Sequence, residues 1–215
     1  MNLIMIGPPG VGKGTQTALL ESRLNVRPIS SGVIFRQEIE AETDLGRLAK
    51  RYIDQGRLVP NGVTIEMMSK RLRSEEVRKK GFALDGFPRT VDQAKALDEM
   101  LSELGICIHR VISLEVDDDV LTERLGGRMG CTKCGAIYHK ESKPPKRSWI
   151  CDLCNSPLFV RSDDQPEAIR ERLQVFHENT KPIIEYYEAQ GNLLHVNGDQ
   201  DPETVYQQIV EGIEE

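Results

Sequence analysis

Three things are scarce in this sequence. Aromatic residues make up 5% of it, with one tryptophan. No apolar run approaches the ~20 residues that a membrane-spanning helix needs. Positive charge is not in excess: 28 Lys and Arg stand against 34 Asp and Glu, a formal −6. The first shortage leaves a core built mainly from aliphatic side chains. With 39% hydrophobic and 29% charged residues the composition is still that of a globular chain, not a disordered one. The second argues against a helical membrane protein. The third argues against a broad nucleic-acid surface, but a few placed arginines still suffice to hold a small anion. Internal repeats and low-complexity tracts are also missing. The start, Met1-Asn2-Leu3-Ile4-Met5-Ile6-Gly7, has no basic leader and breaks after four apolar residues, so no signal peptide is expected. The expected location is the cytosol, where thiols stay reduced, so the five cysteines call for a role other than disulfides. A chain of 215 residues makes one large domain or two small ones and buries enough surface to fold without cross-links.

What is present is an alternation of short apolar runs and helical periods. Leu3 to Ile6 reads as a buried parallel strand, followed by a helix from Gly12 to about Ser22. Helical patterns recur at Val33–Glu40, Leu45–Gln55 and Val63–Leu72. Phe82–Leu84 is a strand ending in Asp85, Thr90 to Leu104 is helical, and Arg110–Val116 is a strand. Asp117 caps a helix running to about Gly126. From Gly127 to Asp164 the period fails and Cys, Pro, Gly and Lys dominate, which marks an inserted module. A long helix resumes at Pro166 with a kink expected at Pro182, then a strand at Leu193–Val196. Asp201-Pro202-Glu203 opens a final helix with a cap, an N1 proline and a first-turn acid. Strands alternating with helices predict an α/β fold with a parallel sheet.

Gly7-Pro8-Pro9-Gly10-Val11-Gly12-Lys13-Gly14-Thr15 lies between the first strand and the first helix. Glycines there let successive N–H groups curl around an anion, the helix N-terminus adds partial positive charge and Lys13 a full one. The phosphate-loop pattern G-x-x-x-x-G-K-[ST] is met up to Lys13. Its hydroxyl comes one residue late, at Thr15. Cys131-Thr132-Lys133-Cys134 and Cys151-Asp152-Leu153-Cys154 are two CxxC pairs spaced to close a tetrahedral zinc shell. Four thiolates leave no open position, so such a metal is structural. Cys107 sits in an apolar stretch and is expected in the core. Asp85-Gly86-Phe87-Pro88-Arg89 follows the second strand, Arg36 lies in an early helix, Arg124 and Arg128 flank the insert's entry, and Arg161 and Arg172 lie near its exit. With a phosphate loop, these arginines suggest a polyphosphate clamp.

On these residues the chain resembles the adenylate kinases over its full length. The match is carried by Gly7–Thr15, Ile29-Ser30-Ser31-Gly32 with Arg36, Gly56-Arg57-Leu58-Val59-Pro60, Leu84–Arg89 with Gln93, the four-cysteine insert, Arg161-Ser162-Asp163-Asp164 and Arg170-Glu171-Arg172. The resemblance implies a P-loop nucleoside monophosphate kinase fold. Its core would be 1–29, 60–126 and 165–215, with a monophosphate-binding part at 30–59 and a zinc-binding lid at 127–164. It implies ATP, AMP and ADP as partners, magnesium with ATP, structural zinc on Cys131, Cys134, Cys151 and Cys154, and a monomer; from the acidic balance and the short apolar runs, neither nucleic acid nor membrane is an expected partner. ATP would meet Gly10, Val11, Gly12, Lys13, Gly14, Thr15, Arg124, Arg128, Ile137, Tyr138 and Gln200. AMP would meet Ser31, Arg36, Arg57, Leu58, Val59, Gly86, Phe87, Pro88, Arg89, Gln93, Arg161 and Arg172. Catalysis would fall to Lys13, Asp85, Arg89, Arg128, Arg161 and Arg172. Val33 stands where the family usually has Asp, and Gln93 also reads as the N3 residue of a capping box begun by Thr90. A kinase for UMP or CMP shares most of these features. No N-K-x-D tetrapeptide is present for guanine. A zinc-ribbon nucleic-acid binder would rest on Lys140, Lys143, Lys146 and Arg147 beside Trp149.

Overall fold

Leu3, Ile4, Met5 and Ile6 are all buried because the strand that carries them, β1 (Asn2–Ile6), has a parallel neighbour on each side. A computed structural model describes residues 1–214, apart from the side chains of Glu76, Arg78 and Lys79. The neighbours of β1 are β3 (Phe82–Asp85) and β4 (Arg110–Glu115). Outside them lie β2 (Arg27–Ser30) and β8 (Leu193–Asn197), giving the order β2-β3-β1-β4-β8, parallel throughout. The α/β reading with a parallel sheet therefore holds. Alternate residues of β1 feed two cores. Leu3 and Met5 join the cluster of Leu20, Leu121, Leu125, Ile169, Tyr206 and Ile209, whereas Ile4 and Ile6 join Met68, Leu72, Leu97, Leu101, Ile183 and Tyr187.

The first cluster packs α1 (Lys13–Leu24), α7 (Asp118–Gly126), α8 (Pro166–Val175) and α10 (Pro202–Glu214) against the sheet. The second packs α4 (Asn61–Leu72), α6 (Val91–Glu103) and α9 (Pro182–Glu188). Each fully buried large apolar side chain contributes about 1.5–3 kcal/mol. Among the described residues no helix is long and apolar enough to cross a membrane.

Two elements escape the sequence pattern. The strand β2 is four residues with a proline, a combination that only an edge position tolerates because Pro28 donates no ladder hydrogen bond. The helix α5 (Glu75–Lys80) is six residues of mostly charged sequence. Three finer expectations are corrected. The long helix from Pro166 is two helices, α8 and α9, separated by a π turn at Phe176–Thr180 that absorbs Pro182. Asp117 stands at the N-cap of α7 without a side-chain capping bond, whereas Asp201 Oδ1 does accept from Glu203 and Thr204 N–H, at 3.0 and 3.1 Å. Cys107 is exposed rather than in the core, because Ile106 and Ile108 turn inward and the residue between them faces out.

Residues 127–164 carry a second sheet, with β5 (Arg128–Cys131) between β6 (Ile137–His139) and β7 (Leu158–Phe159), all antiparallel. It has its own small core of Met129, Cys131, Tyr138, Cys151 and Leu158. A third packing unit joins α2 (Ser31–Glu40) to α3 (Asp44–Ile53) through Phe35, Ala49 and Val59. These two helices approach so closely that a Cβ on Gly46 would overlap the Glu38 carbonyl. The same Gly46 N–H donates to the N-cap Thr43 Oγ1 at 3.0 Å. Gly46→Ala should therefore force the pair apart. Overpacking costs about 1–3 kcal/mol, and at ~2–4 °C per kcal/mol for this size the melt should fall by roughly 2–12 °C. Calorimetric melts of the two proteins check this, and an unchanged midpoint would show that the corner relaxes freely.

Candidate active site

The strand order reverses at β1: β3 lies on one side and β4 on the other. Ligands of open parallel sheets bind beyond the carboxyl ends of the strands at such a point. The glycine-rich loop leaves β1 there, and Asp85 ends β3 there. Gly12, with φ 107, is the N-cap of α1, so the loop runs straight into the helix N-terminus. Lys13 Nζ donates to Gly7 O at 2.7 Å and to Pro8 O at 2.8 Å, which holds the ammonium over its own loop. Burial lowers the Lys13 pKa to about 8; Asp85 opposes this, while Arg89, Arg172 and Arg128 add to it. Thr15 is exposed, one position beyond the usual hydroxyl.

Arg89 is held at both ends. Its Nε donates to Gly86 O at 2.8 Å, and its N–H donates to Gln93 Oε1 at 2.8 Å. Gly86 has to be glycine: at φ 75 its Cβ would lie 2.7 Å from Arg89 Nη2 and 2.8 Å from Ser31 Oγ. Ser31 is buried and donates to Gly86 O at 2.6 Å. Asp85 Oδ2 accepts from Ser30 Oγ at 3.2 Å. Arg36 comes from α2, and burial lowers its pKa; Asp163 and Asp85 act against that, and Arg128 and Arg172 act with it. The loop, the end of β3 and the α2–α3 unit thus present their cations to one cleft.

The insert and α8 supply the rest. Arg128 clasps Asp164 with two bonds, Nε to Oδ2 at 2.8 Å and Nη2 to Oδ1 at 2.6 Å. Arg172 donates to Asp164 Oδ1 at 2.8 Å and to Asp163 O at 2.7 Å. Burial raises the Asp163 pKa, but Arg172, Arg128, Arg161 and Arg36 outweigh it and the net shift is downward. Burial lowers that of Arg161, with Arg128 and Arg36 adding to it. Arg161 Nε is a buried donor without a partner among the described residues. Asp163 and Asp164 were read from the sequence only as part of a motif, with no role; adjacent acids between two arginines are the signal that marks them. Ser162 Oγ donates to Asp54 Oδ1 at 2.7 Å, tying the exit of the insert to the end of α3.

The remaining candidates have partners of their own. Arg124 donates to Gly198 O at 3.1 Å and Asp199 Oδ1 at 2.8 Å, beside Gln200, whose Oε1 accepts from Gln208 at 2.9 Å. Arg57 pairs with Glu171 at 3.5 Å, Val59 is buried, and Leu58 lies between them. Phe87 and Pro88 are buried behind Arg89. Gln93 is 2% exposed; its N–H donates to Thr90 Oγ1 as a cap should, and its Nε2 donates to Asn61 Oδ1 at 2.8 Å. Tyr138 turns into the insert's core, where its hydroxyl accepts from Asp152 N at 2.8 Å and touches Cys151 Sγ at 3.5 Å. Ile137 is half-buried on the same strand.

The four cysteine sulfurs lie within 4.8 Å of one another, with Cys131 to Cys154 at 3.4 Å and Cys134 to Cys151 at 3.6 Å. Zinc–sulfur bonds of ~2.3 Å in a tetrahedron set sulfurs about 3.8 Å apart, so this donor set fits a metal.

A glycine-rich loop with a buried lysine, and guanidinium groups clustered beside it, are equipped to bring two anions together. That is the chemistry of a P-loop kinase acting on nucleoside monophosphates. The family model described as adenylate kinase matches residues 5–192. The adenylate kinase of Symbiobacterium thermophilum is 46% identical over 99% of this chain and 98% of its own. That of Caldicellulosiruptor bescii is 45% identical over 94% and 93%, and that of Acidothermus cellulolyticus 50% over 90% and 88%. The chain belongs to the adenylate kinase family.

The lowered Lys13 pKa has a consequence for stability. Between about 8 and the ordinary value of 10.5 the unfolded chain binds the proton and the folded chain does not, so stability due to this group rises with pH there. Below about 8 both states are protonated and the penalty of burying the charge is fully present. Relative to Lys13→Met, the parent should therefore gain roughly 1 kcal/mol per pH unit above pH 8, with no relative change between pH 6 and 7.5. Denaturant melts of both proteins from pH 6 to 9.5 test this. Parallel curves would mean that Lys13 stays charged throughout.

Proposed function

We propose that the chain catalyses reversible transfer of the terminal phosphoryl group of ATP to AMP, giving two ADP. The observation that supports it most is the convergence of Lys13, Arg36, Arg89, Arg128, Arg161 and Arg172, drawn from the loop, the α2–α3 unit, the segment after β3, the insert and α8. An acceptor phosphate is already largely dianionic near pH 7, since its second pKa is about 6. It needs no general base. It needs positive charge and alignment against another polyanion.

In this reading Gly10 to Thr15 and Lys13 hold the ATP phosphates, and Arg124 with the Gly198–Gln200 turn receives its adenine. Arg36, Ser31, Arg57 to Val59 and Gly86 to Arg89 receive AMP. Arg128, Arg161 and Arg172 close over the transferring group. Gln93 reads the AMP base with what its cap leaves over: one N–H and one lone pair of the carboxamide stay free after the bonds to Asn61 and Arg89. Magnesium bound with ATP would supply charge neutralisation of its phosphates. Asp85 is the carboxylate of the cleft suited to its water shell, because Val33 is exposed and offers none, and Asp163 and Asp164 are spent on arginines. Residues 30–59 and 127–164 act as two mobile parts that close to exclude water, so that ATP is transferred and not hydrolysed. The chain works as a cytoplasmic monomer. UMP and CMP are the rival acceptors.

Arg89→Ala should lower kcat by about 10²–10³ with a much smaller change in KM for ATP, as for loss of a charge that acts in the transition state. Turnover with ATP against AMP, CMP, UMP and GMP, run on both proteins, checks class and acceptor together. A variant with more than half the parent's rate removes Arg89 from the machinery, and a preference for CMP or UMP moves the acceptor.

The metal on Cys131, Cys134, Cys151 and Cys154 is proposed to be zinc and purely structural. It supplies folding free energy to an insert whose own apolar core is small. Chelation, or Cys151→Ser with Cys154→Ser, should lower the thermal midpoint. Turnover well below that midpoint should fall far less than in Arg89→Ala. Metal content, melting and low-temperature turnover on one preparation decide it. An unchanged melt without metal ends the structural role, and a folded but inactive metal-free protein ends the separation from chemistry.

A further inference from the structure

Pro182 sits where a long helix would otherwise run from Pro166 to Glu188. A proline inside a helix removes its own N–H bond and its ring presses on the carbonyl four residues back, here that of Glu178. The chain answers by widening into a π turn at Phe176–Thr180, closed by Lys181 N–H to Phe176 O at 2.9 Å. Such turns insert one extra residue and redirect the side chains that follow. Here the redirected side chain is Thr180. It is 7% exposed, and its Oγ1 donates to the main-chain carbonyl of Arg89 at 3.0 Å, across 91 positions of sequence.

Arg89 is thereby gripped on three sides. Gln93 Oε1 takes its N–H at 2.8 Å, Thr180 holds its carbonyl at 3.0 Å, and Gly86 O takes its Nε at 2.8 Å. The first grip comes from α6 and the second from the turn between α8 and α9, so two helices on the same face of the sheet fix one backbone unit. Burial lowers the Arg89 pKa, and Arg172 and Arg36 repel it while Asp85 and Asp163 attract it. A cation in such a field moves toward its carboxylates when its backbone loosens. From this geometry we infer that Thr180 is a positioning residue for phosphoryl transfer: the π turn forced by Pro182 aims its hydroxyl at the Arg89 carbonyl and so sets where that guanidinium points.

The inference rests on the role proposed for Arg89, and its test separates the two. Thr180→Val keeps the shape and removes the donor, and Thr180→Ser keeps the donor. Thr180→Val should lower kcat about tenfold, as the steep dependence of rate on placement implies. KM for ATP should stay within about twofold, and Thr180→Ser should restore most of kcat. The deciding measurement repeats Thr180→Val in an Arg89→Ala background. The carbonyl it contacts is main chain and is still there, so the loss of thermal stability should be the same in both backgrounds. The loss of rate should disappear when there is no guanidinium to aim. A tenfold loss that persists in Arg89→Ala, a parental kcat in Thr180→Val, or a Ser variant as poor as Val would each overturn the positioning role. An Arg89→Ala protein with near-parental activity would instead overturn the reading beneath it, and this inference with it.

Discussion

Lys13, Arg36, Arg89, Arg128, Arg161 and Arg172 repel one another, and everything about the cleft follows from how that repulsion is held down. Two unit charges ~4 Å apart near a protein surface interact by about 4 kcal/mol, so a cluster of like charges does not assemble without counterparts. Asp164 answers Arg128 and Arg172 at once, with both of its oxygens used, and Asp163 faces Arg172. Both acids are buried and therefore have little freedom to follow a moving cation. The arginines are thus kept spread and aimed. Arg161 Nε is left as a buried donor without a partner among the described residues.

The parallel sheet decides where that cluster lies. Its reversal at β1 leaves a crevice, and the loop after β1 and the acid after β3 fall on its floor. The walls come from segments inserted between sheet elements, α2–α3 on one side and the antiparallel module on the other. Ser162 and Asp54 join those walls directly. Each wall has its own hydrophobic cluster, Phe35, Ala49 and Val59 in one and Met129, Tyr138 and Leu158 in the other.

Features carried by neighbouring residues were legible in the sequence. The phosphate loop, both CxxC pairs and the D-G-F-P-R segment are local, and the resemblance to a family rests on them. Features made by long-range partners were not. Nothing in Asn179-Thr180-Lys181-Pro182 says that Thr180 reaches Arg89, and a kink was expected without its purpose. The resemblance puts Tyr138 on the nucleotide side of the insert, and the bonds of its hydroxyl to Asp152 and Cys151 are a contact that the local sequence does not show. The strand β2 was invisible because an edge strand needs no apolar run, and Cys107 was placed inside because the alternation of Ile106 and Ile108 went unread.

The central position of β1 also governs how the molecule comes into being. Residues 2–6 leave the ribosome before both of their partners, β3 at 82–85 and β4 at 110–115. At about 5–20 residues per second the strand waits roughly 5–20 s for both flanks. During that interval it is an orphan with two bare edges. Its apolar run is only Leu3 to Ile6, and Gly7-Pro8-Pro9-Gly10 follows at once. That is shorter than the six or seven residues that stack into a steric zipper, and the prolines bar extension. The glycine- and proline-rich loop after β1 thus also shields the nascent chain, since it ends the apolar run before the most buried strand can find a wrong partner.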